Sequence, residues 1–439
     1  MKTFSISLFL ALLCAFSAMA QSLDFEKGRH ASILRMIRDD VKKNYYDPNF
    51  RGIPFDEHFK KAEEQLKKAT SVSQLSGIIA QTLVDFDDSH LFYMPPGKAN
   101  KTTYGFEMQM FGDRCFVVRV NESSDAFKKG LAVGDEILGI ENFAPTRKDL
   151  FLINYYYRVL RPQPGMLLLT RKPDGKEDQV QIQAKIVQGR KVLDLAGSGI
   201  DRNNYIREIE NAYIESGKQF IYEVDKKLLI WQMPAFNMEP SDVDKIMSQA
   251  KDKEAVILDL RGNGGGRVDT VRRLIGHFFA DNIKIADEKT RKETKEILAK
   301  SKGADHFKGK VAVLLDSESG SASEVFGRVV QLEKRGRVFG DLSAGAVMES
   351  RTYPHELGVD TVIGFAVSVT IADLIMTDGK SLEKIGVVPD ELILHTGRDL
   401  AAGIDPVLSA AVKSLGMDMS PEQAGKLFEK EKRSYKQKF

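Results

Sequence analysis

Residues 316–326 read DSESGSASEVF and place four serines, Ser317, Ser319, Ser321 and Ser323, in seven positions. The apolar run VAVLL (311–315) precedes them, and SEVFGRVVQLEK (323–334) follows with helical spacing. A small, hydroxyl-rich turn between a buried strand and a helix is where a nucleophile can be mounted. The same letters also fit an ordinary helix start, because Ser321-Ala322-Ser323-Glu324 has the S-x-x-E pattern of a capping box.

Outward from this turn, helix and strand patterns alternate from about residue 200 onward. KLLIWQMPAF (227–236), EAVILDL (254–260), VAVLLD (311–316), RVFG (337–340) and IGFAVSVTIA (363–372) read as strands. PSDVDKIMSQA (240–250), VDTVRRLIGHFF (268–279) and the run after the serines read as helices. Such alternation predicts an α/β core of a sheet with flanking helices. The charged stretch 287–303, DEKTRKETKEILAKSKG, is expected to leave that core as a solvated excursion or lid. DPVLSAAVKSLG (405–416) is expected to be a last amphipathic helix, followed by a fraying polar tail over 419–439.

Upstream, 25–46, 55–69 and 71–86 carry apolar residues at three- and four-residue spacings, so a helical region is expected over 21–98, with Ser71 as a cap. Residues 99–190 change period: GFEMQMF, RCFVVRV, DEILGI, MLLLTRK and DQVQIQAKIV are short strand-like runs around one helical turn, SDAFKKG. The α/β unit is expected over 191–418.

The chain has 439 residues, 42% hydrophobic and 29% charged, with a formal charge of +2. This balance offers no electrostatic attraction to nucleic acid or an anionic membrane. Residues 1–20, MKTFSISLFLALLCAFSAMA, have one early lysine, an apolar stretch and Ala18-Met19-Ala20, the pattern of a signal peptide cleaved before Gln21. The expectation is a periplasmic or secreted protein whose mature chain keeps only Cys115 and no internal disulfide. No later segment reaches the roughly 18 apolar residues that a membrane span requires.

VILDLRGNGGG (256–266), SGSASEVF (319–326) and EKIGVVPD (383–390), in that order, resemble the carboxy-terminal processing and tricorn-like serine peptidases of family S41. YGFEMQ (104–109) with SDAFKKGLAVGDEILGIENF (124–143) resembles a PDZ domain. The resemblance implies a ClpP/crotonase-like α/β core, an N-terminal helical region and a small β-rich PDZ domain. It also implies a serine endopeptidase working without a cofactor. Ser321 falls on the nucleophile, and the oxyanion donors fall on the amides of Ala322 and Gly265. The glycine turn lacks G-x-x-x-x-G-K-[ST], so it is not a nucleotide loop.

The processing branch pairs its serine with a lysine. Here the matching turn, GDLSAGAV (340–347), puts Ala346 at that position. The tricorn-like branch uses Ser–His, and the resemblance assigns His90 as base with Ser89 and Glu383 orienting it. The other histidines (30, 58, 277, 306, 355 and 395) are read as structural. No HExxH or paired Cys/His spacing predicts a metal site, although Asp87 and Asp88 stand beside His90. In the PDZ-like part Tyr104, Gly105 and Phe106 are the expected peptide-binding loop, while Gly130, Gly134 and Asp135 serve the fold. A protein or peptide partner recruited through its C-terminus follows. Oligomeric state is not legible in the sequence. Ala346 keeps a second expectation open: a peptidase fold that binds peptides without cleaving them.

Overall fold

The computed structural model describes residues 2–97, 100–188, 218–358 and 363–427. The first helix, α1 (Lys2–Asn44), runs without a break across the expected cleavage point. It packs with α2 (Phe55–Lys68) and α3 (Val72–Val84). Ile33, Ile37, Val41, Phe59, Leu66, Leu75, Ile79 and Leu83 close into one apolar cluster. Ser71 stands at the N-cap position of α3, but its hydroxyl bonds Ser73 Oγ rather than a backbone amide. Strand β1 (Phe92–Met94) follows.

The middle of the chain is mostly short strands. Strand β2 (Asn100–Thr103) is followed by β3 (Phe106–Phe111) and β4 (Arg114–Val120), then by the short helix α4 (Asp125–Lys128) and β5 (Glu136–Ile140). Helix α5 (Leu150–Asn154) continues as one π turn to Leu160 and leads to β6 (Gly165–Arg171), β7 (Glu177–Gln183) and β8 (Lys185–Gln188). Strands β3 to β7 form an antiparallel sheet in chain order, and β2 pairs with β8.

The α/β part begins with β9 (Phe220–Val224), β10 (Leu228–Gln232), α6 (Pro240–Gln249), β11 (Ala255–Asp259) and α7 (Val268–Gly276). It continues through β12 (Ile283–Thr290), β13 (Thr294–Ala299), β14 (Lys310–Leu315), α8 (Ala322–Leu332), β15 (Arg337–Gly340), β16 (Met348–Leu357), β17 (Ile363–Met376) and β18 (Glu391–Leu392). Helices α9 (Gly397–Ala402), α10 (Pro406–Ser414) and α11 (Pro421–Lys426) follow. The main sheet has the order β18-β15-β14-β11-β10-β9, parallel except for the β9 edge. Every residue of β11 is buried, as expected for a strand covered on both faces. Val256, Leu258 and Val313 face α6, α7 and α8, whereas Ile257, Ala312 and Leu314 face α10 and α11.

A second sheet, β1-β17-β12-β13 with β16 also on β17, is antiparallel throughout. The stretch 287–303, expected as a solvated excursion or lid, supplies most of the β12–β13 hairpin; it is largely exposed, with Ala299 buried, while Ile285 and Ala286 just before it pack against the core. The charges pair along the hairpin, with Lys284 on Asp287 and Glu296. The expected fraying tail is corrected as far as it is described, because α11 is capped by Ser420 and buries Ala424. Residues 428–439 lie outside the described residues. Among the described residues no helix is long and apolar enough to cross a membrane, and Cys115 is buried and free.

The glycine turn is locked to the C-terminal helices by charge. Arg261 Nε and Nη2 donate to the two oxygens of Asp259 at 2.8 and 2.7 Å, and Nη1 and Nη2 reach Asp405 at 3.0 and 2.8 Å. Asp405 also caps α10 by accepting from Leu408 N. Burial works against its charge, but the guanidinium prevails and holds its pKa down at about 2. Arg261→Ala would leave two buried carboxylates without their cation. We expect a loss of about 3–5 kcal/mol in urea unfolding; a loss under about 1 kcal/mol would contradict this role.

Candidate active site

Ser321 sits between the end of β14 and the first residue of α8. Its backbone is at φ +52°, ψ −115°, whereas an ordinary N-cap residue lies in the β region. A non-glycine residue in such a conformation is strained and needs surroundings that enforce it. They are present. The Ser321 N–H donates to Ala346 O at 2.9 Å and to the Glu324 carboxylate at 3.0 Å. Glu324 is fully buried and also accepts from Ser343 Oγ (2.6 Å), Gly345 N (2.8 Å) and Ala346 N (3.0 Å). Burial pushes its carboxyl up to about 7, against these four donors. Glu324 therefore does more than cap a helix: it ties the serine turn to residues 343–346. Ala346 contributes main chain to this arrangement but no amine.

The glycine turn presses on the serine from the other side. Gly320 N donates to Asn263 O, as does Ser323 Oγ. Gly265 has φ +107°, and a Cβ built on it would lie 2.6 Å from Ser321 Cβ and 3.1 Å from Ala322 N. Only glycine allows that approach. Ala322 N is the first amide of α8, with no acceptor within its helix, and none among the described residues. The Gly265 N–H, in contrast, already donates to Asn263 Oδ1 at 2.8 Å.

The imidazole comes from the other end of the chain. Strand β1 pairs with β17, Phe92 opposite Ser368 and Met94 opposite Ala366, and this ladder carries Ser89 and His90 to the α/β part. Asp88 accepts from His90 N (2.9 Å), Tyr45 OH (2.9 Å) and Thr370 Oγ1 (2.7 Å), which fixes the residue before the pair. Glu383 accepts from Ser89 N at 2.9 Å, Ser89 Oγ at 2.8 Å and Val347 N at 3.1 Å. Ser89 Oγ lies 2.7 Å from His90 Nδ1. A hydroxyl has a single hydrogen. Since Ser89 gives its own to Glu383, it must accept from Nδ1–H. That assigns the neutral Nδ1–H tautomer and leaves the Nε2 lone pair free as a base. Burial lowers the His90 pKa; Asp88 opposes the shift and Lys384 adds to it. Burial raises that of Glu383, which the Ser89 donors counter.

Expected partners thus converge in two groups, Ser321 with Gly265 and Ala322, and His90 with Ser89 and Glu383. They are linked through Glu383–Val347 and Ala346–Ser321. Among the described residues no hydrogen bond joins His90 to Ser321.

The other expected residues lie elsewhere. Tyr104 is a core residue, 1% exposed, with its hydroxyl on the main chain of Tyr157 and Gln163. Gly105 has φ +77° and lies so close to Ser124 that a Cβ would overlap it. Phe106 is buried in β3, and its carbonyl accepts from Arg158 Nη2. Gly134 packs on Gly397, and Asp135 pairs with Lys172. His30, His58, His277, His306, His355 and His395 bind Glu26, Thr82, Asp244, Gly303, Asp40 and Asp405 respectively, away from the serine. Among the described residues no group of three or more His, Cys, Asp or Glu is placed to hold a metal.

Residues 227–393 match the family model described as peptidase family S41. A tail-specific protease of Haemophilus influenzae is 28% identical over 172 residues, which cover 38% of this chain and 24% of that protein. The carboxy-terminal processing protease CtpB of Bacillus subtilis is 22% identical over 355 residues, 75% of this chain and 64% of that one. Among solved structures, mature CPAF superposes with a TM-score of 0.64 at 14% identity, covering 86% of this chain and 94% of that one, a likeness of fold. The chain spans a quarter to about two thirds of the length of these two curated relatives. The match places residues 227–393 with peptidase family S41.

At pH 7, ¹⁵N NMR of the His90 ring is expected to show a protonated Nδ1 and an unprotonated Nε2, titrating below 6.5. Glu383→Ala should mix the tautomers. An Nε2–H tautomer in the unaltered protein would refute the assignment.

Proposed function

We propose that the chain is a serine peptidase acting on proteins, with Ser321 as nucleophile and His90 as general base. The observation that carries this reading is the run His90 Nδ1–Ser89 Oγ–Glu383, which leaves Nε2 unprotonated, with Glu383 also holding Val347, next in sequence to the Ala346 carbonyl that receives the amide of the strained Ser321. Nε2 takes the Ser321 hydroxyl proton as Oγ attacks the peptide carbonyl carbon. The resulting imidazolium is stabilised through Ser89 by the Glu383 carboxylate. It then protonates the departing amine, and a water deprotonated by Nε2 releases the acyl group. The Ala322 N–H, at the positive end of α8, is the available donor for the oxyanion; Gly265 N–H joins it on leaving Asn263 Oδ1. In this reading residues 1–20 direct the chain to the periplasm or outside the cell. The β3–β7 domain acts as a PDZ-type module that receives a substrate C-terminus near Gly105.

A fluorophosphonate should label Ser321 in the unaltered protein. Labelling and casein or tailed-peptide cleavage should fall by at least about 10³-fold in Ser321→Ala and His90→Ala. The pH dependence follows from the neutral imidazole being the active form. Because its pKa is lowered, the base persists below 6.5, and kcat/KM should fall only under that pH. Peptide binding without labelling or cleavage at any pH would instead favour a non-catalytic binding protein, the reading that Ala346 motivates. An acid limb well above 6.5 would remove His90 as base.

A further inference from the structure

The β3–β7 domain does not merely lie beside the active site; one of its side chains completes the hydrogen bonding of the turns that build it. Gln109, on β3, is 7% exposed and donates from Nε2 to Asp316 Oδ2 at 2.7 Å. Asp316 is likewise buried, and its other oxygen, Oδ1, accepts from Gly262 N at 2.9 Å and from Glu318 N at 3.0 Å. One carboxylate therefore joins the glycine turn, the serine turn and the neighbouring domain. Next to it Ser317 Oγ donates to Met110 O at 2.6 Å, so two consecutive residues of β3 hold two consecutive residues of the serine turn. The docking has an independent second clamp. Arg147 donates to Gly112 O and Leu342 O and pairs with Asp341, which also accepts from Gly112 N.

Resting on the proposed peptidase reading, we infer that Gln109 is a positioning residue for the reaction. Through Asp316 it fixes the spacing between the glycine turn at 262–266 and the serine turn at 316–322, and so sets where the Ala322 amide meets the oxyanion. The physical reason is the cost of an unpaired buried acceptor. Without Gln109, Asp316 Oδ2 has lost its donor, and the carboxylate must turn toward water or another donor. Turning it withdraws Oδ1 from Gly262 N or Glu318 N, and misplacement of an oxyanion donor by a fraction of an ångström lowers the rate rather than binding. The Arg147 clamp and both apolar cores are untouched, so the domain stays docked.

The test uses full-length Gln109→Ala and Gln109→Glu beside the unaltered chain. For Gln109→Ala we expect kcat on a tailed peptide, and the rate of fluorophosphonate labelling, to fall roughly tenfold, with KM and thermal midpoint close to the parent. Amide exchange should quicken in 260–266 and 316–322 but not in the β12–β13 hairpin. Gln109→Glu sets two carboxylates face to face at neutral pH. Its kcat relative to the parent should recover as the pH falls and the new carboxyl becomes a donor. Parental kcat and unchanged exchange in Gln109→Ala would overturn the inference while leaving the peptidase reading intact. Quickened exchange in Gln109→Ala, beside an unaltered chain that neither labels nor cleaves, would sustain the link between the turns and overturn the peptidase reading.

Discussion

A single carboxylate, that of Glu383, holds together two ends of the chain separated by 294 positions. Its oxygens accept from the backbone and hydroxyl of Ser89 and from the backbone of Val347, one residue past the carbonyl that receives the Ser321 amide. Removing these bonds would free the imidazole ring and loosen the segment that backs the serine. The β1–β17 ladder brings the helical region near enough for that grip, and Asp88 fixes the approach with three hydrogen bonds. Fold and candidate chemistry thus share the same contacts.

Charge is used here in three different settings. Arg261 between Asp259 and Asp405 gives two buried carboxylates a shared cation and fastens the glycine turn to α10. Glu324 pairs with no cation among the described residues and is held by four neutral donors, an arrangement that tolerates burial only while every donor stays in place. Glu383 lies between these extremes, buried but directed at a hydroxyl and an imidazole that can carry a transient positive charge. The strained backbone at Ser321 is maintained by the second of these devices, not by the helix that follows.

Much of this was legible in the sequence, for identifiable reasons. The alternation of buried strands and amphipathic helices announced the α/β part, because a strand covered on both faces must be apolar along its length, as AVIL (255–258) is. Ser321, His90 and Glu383 were singled out through motif resemblance; no periodicity would have paired residues so far apart. What was missed has physical causes. Residues 287–303 looked solvated and are largely exposed; what their charges hid is the pairing of the stretch as a hairpin on β17, which rests on backbone hydrogen bonds. The burial of the Tyr104 phenol against main chain was not legible either, because its partners Tyr157 and Gln163 lie 53 and 59 residues away. Glu324 was visible only as the fourth letter of S-x-x-E; the turn at 343–346 that gives it its role is 19 to 22 residues away. The engagement of Gly265 N–H by Asn263 depends on a side-chain rotamer, which spacing does not encode.

The account stands on Ser321 and His90 working as one unit. A double-mutant cycle measures this directly, with kcat/KM for a tailed peptide determined for the unaltered chain, Ser321→Ala, His90→Ala and the double variant. If one proton passes between the two residues, the double variant should be about as slow as either single one. Losses that multiply, or a His90→Ala protein as fast as its parent, would contradict it.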